Sequence, residues 1–241
     1  MKRIILIAVF AVVAPVSLMA QSISSFHVFP QIADGTYGDG SYFQTIVFAT
    51  NVNALPATCT FRMVGVPESR LLAGSVTTGT LAAQGSISLA VTSGNVAPLA
   101  TGYATLTCDR PVTAYAAYIS SSAAGIVVSA ATVFSSPPTT RAHLIVIQTG
   151  GNRGAFAIAN DTDSATQYKV DLINSDATQT VATTTISVPA RSNLARFLDE
   201  IMPVPPNFIG SFVITSPSSP FNVVGLVFNG SVFGSEPATI Y

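Results

Sequence analysis

An all-β chain, built as two tandem antiparallel β-sandwich units of Ig-like type with one short helix in the second, is the fold this sequence predicts. Three observations carry the expectation. Short alternating apolar runs rich in Val, Thr and Ala, seven or eight per unit, are separated by Gly, Pro, Asn, Asp and Ser, the pattern of an antiparallel sandwich. Charged residues make up 9% of the chain against about a quarter of an average domain, while 49% is hydrophobic. That apolar content excludes disorder and leaves hydroxyls and amides to keep the surface wet. Finally, the chain matches itself at an offset of 109 residues.

The elements follow in order. Lys2 and Arg3 precede an apolar run over residues 4–13, then Ala14, Pro15 and Ser17. This is the plan of a secretory signal peptide, 1–20, cut after Ala20, too short for a lasting membrane span. Residues 21–138 form the first unit, which carries Cys59 and Cys108, the only cysteines. Each alternates with apolar neighbours, Cys59 with Phe61 and Met63, Cys108 with Leu106 and Ala104. Both sulfurs therefore point into the core, and an oxidising compartment would join them. The run 135–141, with Pro137 and Pro138, reads as an extended spacer. Residues 139–241 form the second unit, in which Tyr168 and Ser216 take the places of the two cysteines.

The repeat is collinear. Residues 45–65 match 156–174, each with a strand ending in Ala, a nearby Asn (Asn51, Asn160) and an Ala-Thr pair opening the next strand. Residues 102–107 match 210–215, and 27–35 match 143–151, which aligns His27 with His143. In the second unit, Ser192 followed by Leu194, Phe197, Leu198 and Ile201 at helical spacing, with Pro203 as a stop, predicts the helix. The apolar run 119–134 has no charge and must be covered, either by the second unit or by another chain.

The opening Phe29-Pro30-Gln31-Ile32-Ala33-Asp34-Gly35, with residues 194–201 and 206–210 further on, resembles a repeat of uncharacterised secreted bacterial β-sandwich proteins. The resemblance spans nearly the whole mature chain. It implies an extracytoplasmic sandwich module and brings no catalytic residue with it.

Function is read largely from what is missing. Losing Lys2 and Arg3 leaves a slightly acidic chain without clustered Lys or Arg, so nucleic acid is a poor partner. No G-x-S-x-G, H-E-x-x-H or P-loop occurs, and neither histidine has a nucleophile or carboxylate beside it in sequence. No catalytic residue, cofactor or metal is expected. Asp199 and Glu200 are adjacent, and on a helix would diverge. The stretch most like a site is the loop 34–42, where Asp34, Tyr37, Asp39 and Tyr42 stand among glycines and hydroxyls able to contact a sugar or a cation. The expected role is a non-catalytic binding or structural module, secreted, periplasmic or on the cell surface, contacting a protein or glycan surface. No stable membrane insertion is expected, and self-association is open but not favoured. The alternatives are an outer-membrane β-barrel, opposed by frequent prolines, strands too short to span and the lack of Trp, and a secreted hydrolase with an unrecognised site.

Overall fold

The computed structural model describes residues 23–70, 76–90 and 95–240; the expected signal peptide lies outside them. The first half contains β1 (Ser24–Thr36), β2 (Tyr42–Thr50), β3 (Ala57–Val64), β4 (Val76–Leu81), β5 (Ser86–Ala90), β6 (Ala100–Ser121) and β7 (Val127–Phe134). The second contains β8 (Arg141–Gln148), β9 (Asn152–Asn160), β10 (Thr166–Asn174), β11 (Thr180–Val188), β12 (Ser192–Phe197), β13 (Phe208–Thr215), β14 (Asn222–Asn229), β15 (Val232–Glu236) and β16 (Thr239–Ile240). Every pairing is antiparallel. The protein is all-β and sandwich-like, and the described strands alternate as a half-buried sheet requires. In β3, Ala57, Cys59, Phe61 and Met63 are buried while Thr58 and Arg62 are exposed.

The strand β6 serves two layers. Its first part pairs with β1 and β3, and residues 113–121 pair with β2 and β7. The first half is thus a layer β4-β3-β6-β1 facing a layer β5-β2-β6-β7. In the second half the layers are β11-β10-β13-β8-β16 and β12-β9-β14-β15. The two strand orders correspond one to one, with β13 and β14 together standing where β6 stands and β16 as an addition. Cys59 lies directly opposite Cys108, and the two are bonded at 2.01 Å across 49 residues of sequence. The register of β10 on β13 runs to Lys169 opposite Thr215, so the buried Tyr168 and Ser216 stand at the equivalent place.

Several expectations need correcting. The helix over 192–201 is the strand β12, paired with β9 from Ser192 opposite Asn160 to Phe197 opposite Ala155, followed by a single 3-10 turn, Leu198–Glu200. Leu194 packs on the second core and Ala195 on the first, so this strand is apolar on both sides and its spacing imitates a helix. The two histidines are not equivalent. His27 pairs with Leu106, whereas His143 pairs with Val213, one position off the 108-residue correspondence that relates Leu106 to Ile214. A one-residue register difference places a side chain on the opposite face, and only His27 is buried. Nor are the strands uniformly short: β2, β9, β10 and β11 have nine residues, and β6 has 22. Strand length therefore does not oppose a membrane barrel, but the packing of layers around two cores does.

The segment after β7 is no spacer. Ser135, Ser136 and Thr139 are buried, Ser136 donates its amide to Val28 O and its hydroxyl accepts from the Val223 amide at 2.9 Å, and Asn222 Nδ2 donates to the Ser136 carbonyl at 2.6 Å. Thr139 and Phe221 form a bridge. The halves also share a core, because Ala157, Val224, Leu226 and Phe233 of the second join the cluster formed by Phe29, Ile32, Phe61 and Leu106 of the first. The second core, from Ala142 to Val223, draws only on its own half, with Ala238 packed against it.

Candidate functional site

The loop 34–42 is a hairpin folded on itself. Tyr37 N donates to Ser41 O at 2.7 Å and Gly40 N to Tyr37 O at 3.0 Å. The Asp39 carboxylate accepts from the Ser41 amide (2.9 Å) and hydroxyl (2.6 Å), and these bonds hold it below the usual carboxylate range. Tyr37, 46% exposed, meets Phe43 edge to face, and burial together with the Asp39 charge pushes its phenol up. Tyr42 opposes Thr36 and Ser121 in the sheet. Asp34 is wholly buried at the end of β1, so the two carboxylates serve different surroundings. No group of three or more His, Cys, Asp or Glu able to hold a metal exists among the described residues.

The opening motif has a structural explanation. A bulge between Phe29 and Ile32 lets both enter the core, since two residues intervene where regular alternation would allow one. Within the bulge, Gln31 O accepts from the Tyr118 hydroxyl, and Gln31 Oε1 accepts from Asn193 Nδ2 at 3.0 Å. Asn193 also donates to Gly102 O at 2.8 Å, tying the second half to the first. Gly35 has φ +116°, and a Cβ there would lie 2.5 Å from Val96 O and 2.7 Å from Arg70 Nη1. Arg70, buried, donates to the carbonyls of Asp34 and Pro98 and so anchors the base of the loop. Its role was not legible from a lone Arg in a polar turn.

His27 is a structural histidine. Its Nε2 lies 3.0 Å from both Ser24 O and Val112 O, which places the proton on Nε2, and Nδ1 accepts from the Ser135 hydroxyl at 2.7 Å. Burial lowers its pKa, partly countered by those carbonyls. Two asparagines make matching clamps. Asn51 Nδ2 donates to Leu55, Leu81 and Ala82 carbonyls, and Asn160 Nδ2 to Ser164, Val188 and Pro189. Both are fully buried, so the Asn-Asp-Thr sequon at Asn160 offers no accessible acceptor, unlike the exposed Asn229.

Charges cluster twice. Tyr103 donates to Asp161 Oδ1 at 2.7 Å across the two halves, and Arg191 joins Asp161 (2.7 Å) and Asp163 (2.9 Å). Burial and that donation raise the Tyr103 phenol. Arg153 bridges Asp199 (2.7 Å) and Glu200 (3.6 Å) and lies 3.6 Å from the Phe197 ring centre. The two acids thus meet one guanidinium, although they are adjacent in sequence. An apolar cavity of about 40 Å³ lies beside the disulfide, lined by Ala49, Phe61, Gly79, Leu81, Ile87 and Leu106. It is far below the roughly 300 Å³ of a ligand pocket and is a packing void.

No family model and no curated protein matches the chain. A solved structure, Bacteroides uniformis β-glucuronidase 2 covalently bound to cyclophellitol-6-carboxylate aziridine, aligns over 88% of this chain at 10% identity and a TM-score of 0.22. The chain spans 26% of that protein's length, and at such a score the likeness carries no argument. No described helix is long and apolar enough to cross a membrane.

Proposed function

We propose that the chain is an extracytoplasmic, non-catalytic binding or structural module made of two duplicated Ig-like sandwiches, 21–138 and 139–241, which contacts a protein or glycan surface. The matched asparagine clamps carry the duplication: two buried amides hold three backbone carbonyls each at corresponding turns of two sandwiches with the same strand order. Such a coincidence of side-chain role and topology is what copying one module leaves behind. The bonded Cys59 and Cys108 support export into an oxidising compartment. A non-catalytic role is supported by the structural engagement of His27, Asp161 and Asp199.

The loop 34–42 is the contact region in this reading, with Tyr37 as its exposed aromatic. N-terminal sequencing of protein from the producing cell is expected to begin at Gln21. Binding of the purified chain to polysaccharide and protein fractions of the same envelope is expected to fall for Tyr37→Ala. Binding that ignores Tyr37→Ala removes the loop from the reading; turnover of a glycan by the purified chain overturns the non-catalytic role.

A further inference from the structure

The outward faces of the layers differ sharply. On β3 and β4, outward positions hold Thr58, Thr60, Arg62, Thr78 and Thr80. On β10 and β11 they hold Gln167, Lys169, Asp171, Thr183 and Thr185. Both are ordinary wet surfaces. The outward face of β12-β9-β14 is instead small and apolar, Ala157, Ala159, Val224 and Leu226, and is buried against the first half.

Its counterpart in the first half, on β5-β2-β6-β7, has no such cover among the described residues. Yet it is not wet. Cross-strand register aligns Phe48, Tyr115 and Phe134 in one row, Ile46, Ala117 and Thr132 in the next, and Gln44, Ile119 and Ala130 beyond. Phe48 and Tyr115 stack at 5.0 Å and 19°, and Phe134 is 51% exposed. Ser86, Ser88, Thr50 and Thr113 border the rows, and none of these positions carries a charge. At the rim, Val127 and Val128 add further exposed apolar surface.

We propose that this face is a homodimer interface, packed sheet on sheet against the same face of a second copy. Three features select a second copy. The corresponding face of the second half already serves as an interface within the chain, and the strand bordering the free face, β7, is part of it: Ser129 Oγ lies 3.1 Å from Phe233 N, and Ser235 donates to Thr132 O at 2.7 Å. A face without charge meets its own copy with no like-charge penalty, in a chain whose formal net charge is only −1. Three strands of eight to nine residues and the five-residue β5, about 4.8 Å apart, offer roughly 500 Å² per copy, so a pair buries roughly 1,000 Å², the lower range of specific interfaces. Stacked rings standing on the sheet present their edges outward, which suits interdigitation with a second row of side chains about 10 Å away. A twofold pairing of identical faces closes on itself and limits assembly to two copies.

Sedimentation equilibrium of the purified chain over a range of micromolar concentrations tests this. Wild type is expected to reach twice the chain mass. Phe134→Lys, at an exposed position, is expected to stay folded with a cooperative melt and to weaken association at least tenfold, with Tyr115→Lys also weakening it. A wild type that stays monomeric throughout overturns the proposal. So does a dimer unaffected by Phe134→Lys, or mass growing past two copies.

Discussion

The two cores of this molecule are closed in different ways. In the second half, the side of the sandwich bounded by β8 is covered by the chain's own last strand, with Thr239 opposite His143, Ile240 opposite Ala142 and Ala238 packed on the core. In the first half, the corresponding side bounded by β1 and β7 is covered by the other half: Ala157, Val224, Leu226 and Phe233 complete its core. Two pairs of layers with corresponding strand orders are therefore closed by different parts of the chain. A hydrophobic core is defined by what excludes water from it, and that need not come from the same stretch of sequence.

Separating the halves gives the largest expected effect. Residues 139–240 expressed alone should fold with a cooperative urea transition, whereas residues 23–138 alone should lack one, because four members of their core are gone. Two independent, equally cooperative transitions would break the comparison. In the intact chain, the shared core predicts a single transition by every probe.

Next come the clamps. Asn51→Ala and Asn160→Ala each leave buried carbonyls without a donor, and each should cost about 3 kcal/mol in urea unfolding, since an unsatisfied buried group costs roughly 1–3 kcal/mol. Equal losses would sharpen the equivalence of the two turns; a loss at one alone would separate them. Replacing both Cys59 and Cys108 by Ala should cost about 2–4 kcal/mol, as the bond restrains a 49-residue separation in the unfolded chain.

Tyr168 and Ile186 fill the place that in the first half holds Cys59, Gly79 and a small void, because Tyr168 opposes Ile186 as Cys59 opposes Gly79. A Cβ at Gly79 meets nothing within 4 Å, so Gly79→Ala should stabilise by about 0.5–1 kcal/mol. A destabilised variant would mean the void is not available.

The smallest effect is pH dependence. Burial depresses the folded pKa of His27 below its unfolded value of 6.5, so the unfolded state binds the proton first as pH falls. Stability from this group is complete above 6.5, declines as pH falls through 6.5 and levels off below the depressed folded pKa. His143 shifts the same way, through burial and the Arg141 charge. Thermal melts between pH 7.5 and 5 should show the decline, and His27→Gln should flatten part of it.

What the sequence determined by itself is local. Alternation and turn residues specified the strands, and a period-2 pattern around each cysteine aimed Cys59 and Cys108 into the same core before any pairing was known. The spacing of Asn51 and Asn160 marked two matched turns, although nothing in it revealed six carbonyl bonds. The helix expected over 192–201 failed for a reason outside that segment: β12 lies between two cores, so Leu194 and Ala195 are both covered and the pattern lost its period of two. The histidines failed because the local likeness of 27–35 to 143–151 is one residue out of the register in which β1 and β8 pair with their neighbours, and one residue reverses a face. Arg70 and the outward row of Phe48, Tyr115 and Phe134 are assembled from distant segments. Only the tertiary structure decides such things, because which side of a strand meets water depends on the neighbour that packs there, and that neighbour is chosen by the whole chain.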